Sequence, residues 1–167
     1  THIPVYINDR GLPEWCTVTI LSMIGLFNIA GTLTSGYLAQ KFSKKIILSI
    51  IYLLRGLVIA IFIFLPPNPI IAVLFGITFG FLWLSTVPPT MGIVGYVFGT
   101  KYIGLLYGIV FLSHQIGSFL GAYLGGVFHD LYGSYDYAWY ISIALSIFAG
   151  LIHLPIIEKQ VARLQTA

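Results

Sequence analysis

The sequence predicts an all-α integral membrane protein: a six-helix bundle, one helix partial. Three observations carry that reading. The chain is 58% hydrophobic and only 8% charged, with a mean hydropathy of +0.96. A soluble domain carries about 25% charged residues, so this chain lacks the charge to cover a water-facing surface and its solvent is lipid. Five uninterrupted apolar runs each reach or exceed the roughly 20 residues that cross a bilayer. The basic residues of the loops share one side of the spans that result.

The opening Thr1 to about Tyr6 reads as the tail of a helix whose start lies upstream. Full spans follow at Thr17–Ala39, Ile46–Leu65, Ile70–Phe98, Ile103–Phe128 and Tyr137–Ile157. Only the second contains Asp, Glu, Lys or Arg, namely Arg55. Helices are the expected element, because an open sheet edge cannot satisfy its backbone groups in lipid. The connections are short, so no soluble domain is inserted. The chain opens without Met and without a basic leader region, which points to a fragment of a longer protein.

Lys41, Lys44 and Lys45 separate the first two full spans, Lys101 separates the third from the fourth, and Lys159 and Arg163 follow the last. Alternating the spans puts all six on one face. Asp9, Arg10, Glu14, Asp130 and Asp136 fall on the other. By the positive-inside rule, the lysine loops and the C-terminus are cytoplasmic and the protein is a multi-pass protein of the plasma or inner membrane.

Other classes are weak. Eight basic residues, all but Arg55 scattered over the loops, make no nucleic-acid patch. Cys16 stands alone, so neither a disulfide framework nor a cysteine metal site is expected. The four histidines are dispersed, and neither His-Glu-x-x-His nor Gly-x-Ser-x-Gly occurs, which leaves a membrane-embedded enzyme as the least favoured reading. No catalytic residue, metal or cofactor is predicted.

A faint internal echo relates Gly36–Lys44, "GYLAQKFSK", to Gly126–Ser134, "GVFHDLYGS"; Gly31 and Gly121 match at the same offset. The copies lie three helices apart and face opposite sides of the membrane, as an inverted three-plus-three repeat of a transporter requires.

The stretch "GYLAQKFSKK" resembles the cytoplasmic loop motif of the major facilitator superfamily, Gly-x-Leu-[Ala/Ser]-Asp-[Arg/Lys]-[Phe/Tyr]-[Gly/Ser]-[Arg/Lys]-[Arg/Lys]. Gly36, Leu38, Ala39, Lys41, Phe42, Ser43, Lys44 and Lys45 match, and Gln40 replaces the acid. The resemblance covers the whole chain. It implies the C-terminal half of a twelve-helix secondary transporter, helices seven to twelve with the first truncated, and so a missing N-terminal half as partner. It also implies a small-molecule solute, with protons or exchange as the driving force. "GTKYIGLLYGIVFLSHQIGSFLGAYLGGVFHDLYGSYDYAW" further resembles bacterial members close to the monocarboxylate and oxalate–formate transporters. A self-contained six-helix carrier or channel acting as an oligomer is the alternative. Gln40 can hydrogen-bond but cannot ion-pair, so the resemblance implies a weaker cytoplasmic latch in this half.

Polar residues at mid-span are the candidate site, since transporter substrates bind near the midplane and intramembrane polar groups are functional or internally paired. Asn28 either bonds another helix or lines a cavity. The adjacent His114 and Gln115 are cavity candidates. Trp83 faces either cavity or lipid. Ser85, Thr86 and Ser146 are expected to bond their own helix. Gly117, Gly121 and Gly125 share a face with His114, a stripe that reads as helix packing. Pro88 and Pro89 kink the third full span, since neither has an N–H to donate, or leave only ordinary curvature. Arg55 cannot realistically be deprotonated, and at mid-span it requires a partner: backbone carbonyls, an acid in the missing half, or an anionic solute. The resemblance places its helix outside the ring that lines the central cavity. It also implies a charged handle on the helix that carries Asn28; none is present there, which weighs against a carboxylate solute.

Overall fold

The computed structural model describes residues 2–161; Thr1 and Arg163, which the sequence reading placed in the partial helix and on the basic face, lie outside them. Seven helices follow in order: α1 (Ile3–Asp9), α2 (Glu14–Lys41), α3 (Lys44–Phe64), α4 (Pro69–Trp83), α5 (Val87–Phe98), α6 (Ile103–Tyr132) and α7 (Asp136–Ile152). No strand occurs among the described residues. The expected third full span is α4 and α5 together, and the all-helical architecture agrees with the expected bundle.

Several boundaries move. The partial helix runs on to Asp9 rather than ending near Tyr6, α2 starts at Glu14 and ends at Lys41, and α6 continues past Phe128 to Tyr132. The last span stops at Ile152, five residues before the expected Ile157. Pro155 explains this: it has no N–H and disfavours helical backbone in the residue before it. Leu154 and Ile156 instead close tight turns onto Leu151 and His153.

α2 packs along α4, and α3 packs along α7. Glycine makes the first contact close. A Cβ built on Gly76 would stand 3.1 Å from the Ile20 Cα, and one on Gly80 would stand 2.6 Å from the Ile24 Cα. Further along, Gly31 of α2 lies against the Phe81 carbonyl and Ser85. With no hydrophobic drive between helices in lipid, such approaches and the dispersion they allow hold the bundle together. On the α3–α7 seam, Gly150 receives Leu53 and Gly56 faces Ser146.

The end opposite the lysines is closed by aromatics. Phe62 stacks on Phe75 at 4.0 Å between centroids, Phe75 on Phe79 at 4.9 Å, and Trp139 meets Tyr6 edge-on at 5.3 Å. At the basic end, Glu158 comes back from beyond α7 to cap α3. Its Oε1 accepts from Ser43 Oγ at 3.0 Å and from the Lys45 N–H at 2.6 Å. Lys45 Nζ donates to the Leu154 carbonyl, and the Val161 N–H to the Val97 carbonyl. α3 begins with two lysines, the wrong sign for the positive end of a helix dipole, and a carboxylate there offsets them. α6 is the outlier: only its Gly125 is buried.

Candidate functional site

The site is built around the break between α4 and α5. Pro88 and Pro89 cannot donate to the carbonyls four residues back, Leu84 and Ser85. They are tolerated because a new helix starts at Val87 and places them in its first turn, where N–H groups have no helical acceptor anyway. The Val87 N–H turns back to the Leu84 carbonyl at 3.0 Å. In a continuous helix it would have gone to Trp83, so the Trp83 carbonyl is open to another donor.

Arg55 is that donor. Its Nη2 donates to the Leu82 carbonyl at 2.7 Å and to the Trp83 carbonyl at 2.8 Å. Of the three partners the sequence left open, backbone carbonyls are the ones this chain supplies. Its Nε is buried and finds no acceptor among the described residues, and the guanidinium sits over the Tyr52 ring, 5.2 Å from its centroid.

From the other side, Asn28 Oδ1 accepts from the Leu84 N–H at 3.1 Å. Asn28 thus makes a helix-to-backbone bond between α2 and the end of α4, and it is not among the residues that line the groove described next.

A groove of about 760 Å³ opens beside the break, between α3, α4–α5, α6 and α7. Arg55 and Trp83 line one wall, His114 and Tyr107 another, and Ser142 and Ser146 a third. Among the described residues, Arg55 is the one permanently charged side chain lining it, and no carboxylate does. The structure therefore brings together Arg55, Trp83 and His114, and leaves Asn28 and Gln115 outside. Gly117 and Gly121 also line the groove and meet nothing among the described residues within 4 Å of a built Cβ; of the three glycines of this stripe, Gly125 alone makes a packing contact there, against His2. Ser85 donates to its own helix at Phe81, and Ser118 does so at His114.

Sequence reasoning passed over three features. Tyr52 stands one turn before Arg55 on the same face, and its ring stacks on His153 at 5.2 Å; the three-residue spacing was the available signal. Ser142 lies one turn before Ser146. Glu158, the lone acid amid the basic loops, had no local pattern to mark it as a cap.

The loop motif lies at the basic end. Gly36 touches Pro88, with a built Cβ 3.6 Å from the proline Cβ. Gln40 is exposed. Lys41 donates to the Tyr37 hydroxyl, Lys44 reaches over the Tyr96 ring, and Lys45 bonds Leu154.

Residues 18–165 match the family model described as Major Facilitator Superfamily. A Bacillus subtilis (strain 168) protein named "Uncharacterized MFS-type transporter YcxA" is 29% identical over 157 residues, covering 86% of this chain and 37% of that protein. "Monocarboxylate transporter 13" of Rattus norvegicus is 25% identical over 159 residues, covering 92% of this chain and 37% of its own length. The Bos taurus protein of the same name is 25% identical over 160 residues with the same coverage. The chain thus spans 37% of the length of the curated relatives it matches. No solved structure matches it. With long apolar helices, a glycine-seamed bundle and a family match over most of its length, this multi-pass membrane chain belongs to the major facilitator superfamily.

Proposed function

We propose that residues 1–167 are the C-terminal half of a secondary active transporter, which moves a small organic anion by alternating access against an N-terminal six-helix half. A monocarboxylate is the favoured solute, with proton symport or exchange as the driving force. The observation that carries this reading is a groove lined, among the described residues, by one permanent cation, Arg55, two histidines, His114 and His153, and no carboxylate. A guanidinium with an unpaired Nε favours an anion through charge-assisted bonds. The aromatic walls suit a small apolar body. Arg55 supplies the charge missing at Asn28, and the groove carries two imidazoles, His114 and His153, a side chain that serves as a proton shuttle. The relatives named monocarboxylate transporter 13 point the same way.

Uptake of radiolabelled small organic acids into cells or proteoliposomes carrying the full-length protein tests it. His114→Ala is expected to cut uptake by about a hundredfold, within the range of a lost acid–base group, with normal membrane insertion. Uptake of none of the acids by the unmodified protein overturns the anion reading. An unchanged rate and pH profile in His114→Ala overturns the role of His114.

In this reading the lysine end faces the cytoplasm and the protein sits in the plasma or inner membrane. Single cysteines at Ser43 and Ser134, on a background without Cys16, should then label from opposite sides. Labelling of both by an impermeant reagent in intact cells contradicts the topology.

A further inference from the structure

We infer that Asn28 is a positioning residue: from α2 it holds the α4–α5 break and so sets the wall of the groove, without lining the groove itself. α2 and α4 run in the same direction with contacts that recur every four residues. Ile20 lies on Gly76, Ile24 on Gly80, and Asn28 on Leu84. This is the i±4 ridge seam of two packed helices. The first two steps bring backbone to backbone across a glycine. At the third, the register delivers a side-chain carbonyl to the N–H of Leu84, the residue that closes α4.

The break is clamped from two sides. Asn28 accepts from Leu84, and Arg55 donates to Leu82 and Trp83. Together they tie three consecutive residues to α2 and α3. Trp83, Leu84, Thr86 and Val87 all line the groove, so fixing the break fixes that wall. It also fixes the angle at which α5 leaves, since α5 starts three residues beyond Leu84. The Leu84 N–H lies at the groove wall, and Asn28 is the side chain that holds it there. Loss of the Asn28 acceptor therefore frees the break locally while the glycine contacts above it stay intact.

The inference concerns backbone order and stands apart from the anion reading; it shares with that reading only the groove. The test is hydrogen exchange followed by mass spectrometry on the full-length transporter without added solute. Asn28→Leu keeps the size and removes the acceptor; Asn28→Asp keeps an acceptor oxygen. The amides of Leu84, Ser85, Thr86, Val87 and Thr90 should exchange about tenfold faster in Asn28→Leu, as local opening does when a tying hydrogen bond goes. α3 and α7 should be unchanged, and Asn28→Asp should restore the slow rate. A cysteine at Thr86 should react about tenfold faster with a water-soluble thiol reagent in the Asn28→Leu background, by the same local opening. Unchanged exchange at 84–90, faster exchange throughout the chain, or no restoration by Asn28→Asp each overturns the assignment. A failure of the anion reading would show instead as absent uptake with the exchange pattern intact.

Discussion

Gly31→Ala should destabilise the full-length transporter more than any other single-methyl change on α2. A Cβ at this position would run into the Phe81 carbonyl and stand 2.6 Å from Ser85 Oγ. The obstacle is backbone, not the end of a flexible side chain, so relief requires α2 to move off α4. That movement would also strain the contacts of Ile24 with Gly80 and of Asn28 with Leu84, which share the seam. Overpacking of this kind costs about 1–3 kcal/mol and at times more. Lost interhelical packing adds to it, because packing is what associates helices in lipid. We expect a clear fall in the thermal midpoint of the purified protein and a matching loss of folded material. Gly25→Ala on the same helix is the control: nothing lies within 4 Å of its Cβ, and alanine in a helix interior is favourable by about 1 kcal/mol relative to glycine. Equal behaviour of the two variants would show that α2 and α4 do not meet as described.

The contrast between glycines also marks how far the sequence could be read. The long apolar runs gave the spans because their signal is a composition summed over some twenty residues, which no single neighbour can reverse. Their ends were less legible. At Pro155 the apolar run continues to Ile157 while the proline ends the helix; at Asp9 and Tyr132 the helix simply continues into polar residues beyond the apolar run. Glycine spacing was ambiguous. Gly76 and Gly80 carry the same four-residue interval as Gly117, Gly121 and Gly125, yet the first pair seats α2 and two of the second set meet nothing inside this chain. Spacing shows that a helix offers a smooth face; which partner takes it depends on the tertiary arrangement. The same holds for Arg55 and Asn28. Their presence at mid-span showed that partners were required. The partners are main-chain groups of α4, Leu82, Trp83 and Leu84, which no side-chain pattern announces. Glu158 was hidden for a related reason: it caps a helix over a hundred residues before it in the chain.

Arg55→Leu is expected to reduce both stability and transport, and proline reversal should recover part of the loss. Pro88 and Pro89 break the third span, so that the Val87 N–H turns back to Leu84 instead of reaching Trp83, and Arg55 returns two bonds, to the carbonyls of Leu82 and Trp83. Leucine returns none. A buried carbonyl left without a partner costs about 1–3 kcal/mol, and no ion is stranded by the change, since no carboxylate lines the groove. The thermal midpoint of full-length Arg55→Leu should therefore fall, with uptake reduced at least about tenfold, the equivalent of roughly 1.4 kcal/mol. Arg55→Lys keeps a charge and a donor but loses the fork that reaches two carbonyls at once, so it should be intermediate. Replacing Pro88 and Pro89 together by alanine lets the helix run on, so that the N–H groups of Thr86 and Val87 can reach the Leu82 and Trp83 carbonyls themselves. In that background Arg55→Leu should be less damaging to stability, a coupling that a double-mutant cycle reads directly. Uptake should not recover with it, because an unbroken helix no longer presents the same groove wall and the cation is still absent. If Arg55→Leu instead keeps full stability and loses only solute binding, the carbonyl bonds contribute little and the guanidinium serves the solute alone. If its stability falls equally with and without the prolines, Arg55 is not compensating for the break they cause.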